Sequence, residues 1–176
     1  MTSCGHKSSI NTARGSLESV LERGDLILRK NVEEFEKRLA NFTDTKHAVG
    51  LNSGTDALFL SLKAAGIGPG DEVITVSHTF VASISTIIQA GAKPVLIDVA
   101  DDFEIDSDEI EKAITKKTKA IMPVYLNGRM PNMERIMKIA KKHRLIIIED
   151  AAQALGAKFN GKMAGSFGLT GCFSFY

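Results

Sequence analysis

The chain has 176 residues and a formal net charge of +1, so bulk charge draws it toward neither a nucleic acid nor an anionic membrane. Its 44% hydrophobic and 24% charged residues are those of an ordinary globular chain, which excludes a disordered or fibrous polypeptide. Two cysteines, Cys4 and Cys172, give neither a disulfide framework nor metal-ligand spacing, which fits a reducing compartment and a cytoplasmic location.

Residues 1–15 are polar, lack the apolar run of a secretory signal, and are predicted as an N-terminal tail. Val32, Phe35, Leu39 and Phe42 then recur at helical spacing, with Glu33–Lys37 and Glu34–Arg38 as i,i+4 pairs on the wet face. The apolar run Ala48-Val49-Gly50-Leu51 is predicted as a strand. Asn52-Ser53-Gly54-Thr55 leads into a helix carrying Leu58, Leu62 and Ala65 on one face, with Gly66 as its stop. Val73–Val76 reads as a strand and Val81–Ala90 as a helix. Together they explain why Val73–Ala92 lacks charge better than a membrane span does, because eight polar side chains, from Thr75 to Gln89, interrupt the run. Pro94–Val99 is predicted as a strand, and Asp106 with Glu109 as a capping box. Ala120–Leu126 is a strand that Pro123 bulges or shortens, and Pro131 sits in the first turn of a helix that turns Met133, Ile136, Met137 and Ala140 inward. Leu145–Ile148 is a continuous apolar run ending in Glu149-Asp150, and Lys158–Lys162 reads as a surface hairpin. Strands alternating with helices imply an α/β fold with a mostly parallel sheet covered on both faces.

Ligands of such sheets bind beyond the carboxyl ends of the strands, where three clusters fall. The amides of Asn52-Ser53-Gly54-Thr55 suit a phosphate at a helix start, and a plain helix cap is the simpler alternative. Asp150 ends a buried strand, where an acid needs a partner. A protonated pyridine nitrogen is one, with Gln153 three residues on near a ring oxygen; a turn cap or a structural lysine is another. Phe80, in His78-Thr79-Phe80, could stack on a flat ring or belong to the core. His78 reads as a surface or satisfied histidine, and His6, His47 and His143 carry no assigned role.

Ser53-Gly54-Thr55-Asp56-Ala57-Leu58, Asp71-Glu72-Val73-Ile74 with Thr79-Phe80, Glu149-Asp150-Ala151-Ala152-Gln153-Ala154, Gly165-Ser166-Phe167-Gly168 and Cys172-Phe173-Ser174-Phe175 occur in that order. The set resembles the DegT/DnrJ/EryC1/StrS family of sugar aminotransferases, a branch of fold-type I pyridoxal-phosphate enzymes. The resemblance runs from about Leu17 to Tyr176. It implies a three-layer α/β/α fold with a mostly parallel sheet, in which 16–176 is the N-terminal part of the large domain. It also implies that pyridoxal 5'-phosphate is held by Gly54 and Thr55 at the phosphate, Phe80 on the ring, Asp150 at the ring nitrogen, Gln153 at the ring hydroxyl and Ser174 at the phosphate. Asp150 is then the one catalytic residue in this chain.

The family's cofactor lysine would follow Tyr176, so the resemblance implies an inactive fragment. Its edge strand Ala48–Leu51 would pair with an antiparallel strand that comes after that lysine. The implied parent is a homodimer that moves an amino group, with glutamate as donor, onto a nucleotide-linked keto sugar, with no nucleic-acid or membrane partner. Tyr176 leans toward the 3-position of the sugar, while Asn127-Gly128-Arg129 departs from the family's usual Tyr-Gly-Gln. A pyridoxamine-phosphate dehydratase with histidine in place of the lysine, a regulatory homologue without turnover, and an unrelated α/β binding domain remain as alternatives.

Overall fold

The computed structural model describes residues 3–24 and 30–175, with side chains of the first helix from Thr12 onward. The chain divides into two compact units, one of residues 1–42 and 46–50 and one of residues 43–45 and 51–176.

The first unit carries α1 (Ser3–Arg23) and most of α2 (Lys30–Thr43). Of the segment expected to be a tail, residues 3–15 are therefore helical, and residues 1–2 lie outside the described residues. Its polar composition hid a helix without proline, supported by an Arg14 Nε–Glu18 pair at 2.8 Å and a Ser16 Oγ bond to the Thr12 carbonyl. In α2 the predicted pair Glu34–Arg38 forms, and Ala40 is buried, but Phe35 and Phe42 remain exposed. Ala48–Leu51 is not a strand: no described residue ladders with it. Within the first unit the Gly50 amide donates instead to Glu36 Oε1 at 2.7 Å.

The second unit is built on five parallel strands, lying in the order β2 (Lys93–Ile97), β1 (Glu72–Val76), β3 (Thr118–Ile121), β4 (Ile146–Asp150) and β7 (Thr170–Cys172). In chain order the elements are α3 (Gly54–Ala64), β1 (Glu72–Val76), α4 (Val81–Gln89), β2 (Lys93–Ile97), α5 (Ser107–Ala113), β3 (Thr118–Ile121), α6 (Met133–His143), β4 (Ile146–Asp150), β5 (Lys158–Phe159), β6 (Lys162–Met163) and β7 (Thr170–Cys172). β5 and β6 form the expected hairpin, turned by Asn160 and Gly161 at positive φ.

Strand period then sorts the core into two clusters. Val73, Ala120, Met122 and Ile148 face Leu58 and Leu62 of α3 and Ile87 of α4. Ile74, Val76, Ile121 and Ile147 face Ile110 of α5 and Ile136 and Ile139 of α6. Helices thus cover both faces, giving the three-layer α/β/α arrangement, and this explains why the strands read as unbroken apolar runs. Two local expectations are corrected. Pro131 lies before α6, because Asn132 is the better start: its Oδ1 accepts from the Arg135 amide. Asp106 caps α5 by accepting from the Asp108 amide, but Glu109 turns outward to Lys112, so no reciprocal capping box closes.

Glu104, between β2 and α5, is buried, and its Oε2 has no hydrogen-bond partner among the described residues. Burial first, and then the Asp102 charge, push its carboxyl from 4.5 up to about 8, partly offset by Arg129. A folded-state value above the unfolded one makes the native state hold the proton longer. The stability this provides is complete below 4.5 and is lost as pH rises through about 8. Glu104→Gln, a permanently neutral isostere, is therefore expected to reduce the fall in stability across that interval and to exceed the parent in stability at its alkaline end. Urea unfolding at a series of pH values measures both.

Candidate functional site

β4 ends in two buried acids that point to opposite faces. Glu149 shares the parity of Ile147 and turns toward the α5–α6 side, while Asp150 shares the parity of Ile148 and turns toward α3 and α4. Glu149 is fully buried and collects four donors. The amides of Gly165 (2.7 Å), Phe167 (2.7 Å) and Gly168 (2.6 Å) and the Tyr125 hydroxyl (2.9 Å) all donate to it. Burial raises its pKa, and these four bonds oppose the rise without cancelling it. The Gly165-Ser166-Phe167-Gly168 segment is thus a cradle for a structural carboxylate. Its glycines are required on steric grounds as well: a Cβ on Gly168 would lie 2.4 Å from the Ile147 carbonyl oxygen.

Asp150 instead lines a cavity of about 200 Å³ at the carboxyl ends of the strands, where β1 and its neighbours β2 and β3 send the chain to opposite sides. Its Oδ2 accepts from Ser83 Oγ at 2.6 Å, and its Oδ1 accepts a longer 3.3 Å bond from the Ala152 amide. Only 5% of the residue is exposed, and burial raises its pKa, opposed by the bonds from Ser83 and Ala152.

At the α3 end of the cavity, Ser53 is the N-cap: its Oγ accepts from the Asp56 amide and donates to Asp56 Oδ2. The helix-cap alternative is therefore correct for Ser53. Gly54 and Thr55 are the first two helical residues, whose amides have no carbonyl to bond within the helix. A Cβ on Gly54 would come within 2.9 Å of the Ser174 Cβ, so only glycine lets the helix start approach the segment after β7 this closely.

Phe80 lines the cavity while 67% exposed, which makes it no core residue. Gln153 accepts from the Asn127 amide at 2.9 Å. Because a backbone N–H can only meet the oxygen, the Gln153 NH2 is the end that faces away from Asn127 and is available to donate.

All six residues picked from the sequence, Gly54, Thr55, Phe80, Asp150, Gln153 and Ser174, line this one cavity. Sequence reasoning did not find Ser83, buried and 67 positions from Asp150, nor Tyr125, which lines the cavity while bonding Glu149. His78 is exposed and lies against Phe103, outside the lining. Lys158 and Lys162 sit in the hairpin, and no lysine lines the cavity among the described residues. Tyr176 lies outside the described residues. Free amides at one end, a buried carboxylate at another and an open aromatic face suit a flat ligand that carries an anionic group and a basic ring nitrogen.

The sequence profile of the DegT/DnrJ/EryC1/StrS aminotransferase family matches residues 8–176. The chain belongs to this family. A DegT/DnrJ/EryC1/StrS relative from Geobacillus stearothermophilus, described as a pleiotropic regulatory protein, is 48% identical over 91% of this chain and 43% of its own length. A UDP-N-acetyl-3-dehydro-alpha-D-glucosamine 3-aminotransferase from Acidithiobacillus ferrooxidans is 48% identical over 89% of this chain and 43% of its own length. Among solved structures, NtdA from Bacillus subtilis with bound cofactor PMP aligns with a TM-score of 0.85 at 36% identity, over 90% of this chain and 37% of that one. The chain therefore spans less than half the length of the relatives it matches. The shared architecture is that of the fold-type I pyridoxal-phosphate aminotransferases, as expected.

Removing the Glu149 charge tests the cradle. In Glu149→Gln the amide NH2 must face one or more N–H donors, so the variant is expected to lose about 2–5 kcal/mol of stability in urea unfolding. A loss within error of zero would mean that the cradle contributes nothing net.

Proposed function

We propose that the whole protein is a pyridoxal-phosphate aminotransferase that moves an amino group from an amino acid, glutamate in our reading, onto a nucleotide-linked keto sugar, working in the cytoplasm as a homodimer. The observation that carries this reading is the placement of Asp150 inside the same cavity as the open start of α3 and the exposed face of Phe80. The names of the relatives supply the substrate class.

The residues fit the cofactor. Gly54 and Thr55 present free amides at the positive end of the α3 dipole, and Ser174 is packed against Gly54, so three groups converge where a phosphate is best held. The Phe80 ring needs a partner face, and the Gln153 NH2 is the donor for a ring oxygen. When bound, the cofactor supplies an electron sink for the bonds at the carbon that carries the amino group.

Asp150 holds a proton at the ring nitrogen. Burial alone disfavours its ionised form, and a cationic N–H brought beside it removes that penalty, so the charge pair is strongest in the water-poor cavity. The cavity's apolar lining, Leu58, Ala82, Val124 and Leu126, keeps water from competing for this pair. No lysine lines this cavity among the described residues.

For the position aminated we propose a 3-keto sugar, which is the reaction in the name of the Acidithiobacillus relative and the direction in which Tyr176 leans. A second reading has one specific support: the Geobacillus relative carries a regulatory name, and a regulator on this fold would bind cofactor or sugar without turnover.

The whole protein, given pyridoxal phosphate, glutamate and paired 3-keto and 4-keto nucleotide sugars, is expected to yield an amine at C3, located by NMR. Asp150→Ala is expected to cut turnover by at least about a hundredfold with an unchanged circular dichroism spectrum, because a ring-nitrogen partner stabilises the transition state more than the ground state. Cofactor absorbance without turnover in the parent protein would favour the regulatory reading. Near-normal turnover in Asp150→Ala would remove the role given to Asp150.

A further inference from the structure

Two hydroxyls stand behind Asp150. Ser83 Oγ is 2.6 Å from Asp150 Oδ2, and Thr79 Oγ1 is 2.7 Å from Ser83 Oγ. Ser83 is fully buried on the inner face of α4, and Thr79 lies one residue before Phe80 on the cavity wall. A serine hydroxyl has one proton. An ionised Asp150 can only accept, so the Ser83 proton is committed to Asp150. The hydroxyl pair at 2.7 Å then has one possible direction: Thr79 donates and Ser83 accepts. Hydrogen bonds in such a chain polarise one another, so the Thr79 bond strengthens the one that reaches the carboxylate.

We infer that Thr79 and Ser83 form a one-directional hydroxyl chain that positions Asp150, fixing Oδ2 on the α4 side and turning Oδ1 to the cavity as the oxygen that meets a ligand N–H. The inference rests on the cofactor reading of Asp150 for its purpose, but its geometry concerns this chain alone. Oδ1 has just the long 3.3 Å bond from the Ala152 amide, so it retains most of its accepting capacity. Among the described residues no lysine, arginine or histidine is paired with Asp150. Its titratable neighbours are Glu149, which turns to the other face of the sheet, Tyr125, which shares the cavity wall and donates its hydroxyl to Glu149, and Cys172, whose thiol burial pushes up to about 12. The hydroxyl chain is therefore what opposes the cost of burying the Asp150 charge, together with the weaker Ala152 amide.

The test follows the titration of the Asp150 carboxyl by carbon NMR in the whole protein without added cofactor, with the signal assigned from Asp150→Asn. Ser83→Ala is expected to move the midpoint to higher pH. Thr79→Val, which keeps the shape and removes the donor at a partly exposed site, is expected to move it the same way by less. Ser83→Thr, which restores a hydroxyl, is expected to return it toward the parent value. A purely structural role would leave the midpoint in place, so an unmoved midpoint in Thr79→Val and in Ser83→Ala overturns the inference. A shift in Ser83→Ala alone overturns the two-hydroxyl chain. With pyridoxal phosphate added, the pH midpoint of cofactor absorbance is expected to shift in the same order across the variants. Absence of any cofactor absorbance, with the carboxyl shifts as expected, counts against the cofactor reading and leaves the hydroxyl chain standing.

Discussion

The Glu149 carboxylate is the interaction on which the rest of the site depends. An ionised side chain with no exposure is costly unless every lone pair is used, and here three amides and one hydroxyl use them. Those donors come from both sides of β4. Tyr125 arrives from the segment after β3, and Gly165, Phe167 and Gly168 arrive from the loop that feeds β7. The carboxylate therefore ties the end of β4 to the chain leaving β3 and to the chain entering β7. That tie also sets β7 against β4, with Asp150 opposite Cys172.

Strand parity then divides the work between neighbours in sequence. Because successive side chains leave a strand on opposite faces, a single chain direction delivers Glu149 to a closed structural socket and Asp150 to an open cavity. The same alternation governs the chain from the end of β7 onward. Cys172 meets Ser61 of α3 at 3.3 Å, Ser174 meets Gly54, and Phe173, between them, packs its ring where a Cβ on Gly165 would stand. Gly165 and Gly171 cross so closely that a Cβ on Gly171 would fall 2.2 Å from the Gly165 Cα. The glycines of this region are read most simply as clearance for two backbones drawn together by one carboxylate.

Much of this was legible in the sequence, and the reasons differ by element. β1 and β4 announced themselves because a strand covered on both faces is apolar throughout, and their bounding glycines and acids marked the ends. Gly54, Thr55, Phe80, Asp150 and Gln153 were legible as clusters at expected strand ends, since a parallel sheet places its ligands there, whereas Ser174 was supplied by the family resemblance alone. The failures share a cause. Ala48–Leu51 has the composition of a strand, but a strand is defined by its ladder partner, which local composition does not encode. Residues 1–15 lack an apolar stripe, and the helix from Ser3 onward shows its support only from Thr12, in the i,i+4 contacts of Thr12 with Ser16 and of Arg14 with Glu18. Ser83 escaped because its significance comes wholly from a carboxylate 67 positions away. Glu149 was visible as an acid at the end of an apolar strand, and the family resemblance singled out Asp150 beside it, but nothing in the sequence gave Glu149 its structural role.

That last distinction follows from what each carboxylate is offered. Glu149 meets four fixed donors, three of them backbone amides that cannot turn away, so its environment is complete without any ligand. Asp150 meets one short bond from a side-chain hydroxyl and one long bond from an amide, so its environment is under-supplied for a buried charge. A fold that could bury the second acid as thoroughly as the first, but leaves it facing a cavity beside free helix amides, holds an electrostatic deficit where a cationic N–H is the natural complement. Such a deficit costs stability in the empty protein and is repaid only when the complementary group enters, which is the physical form of a site arranged for a ligand ahead of its arrival.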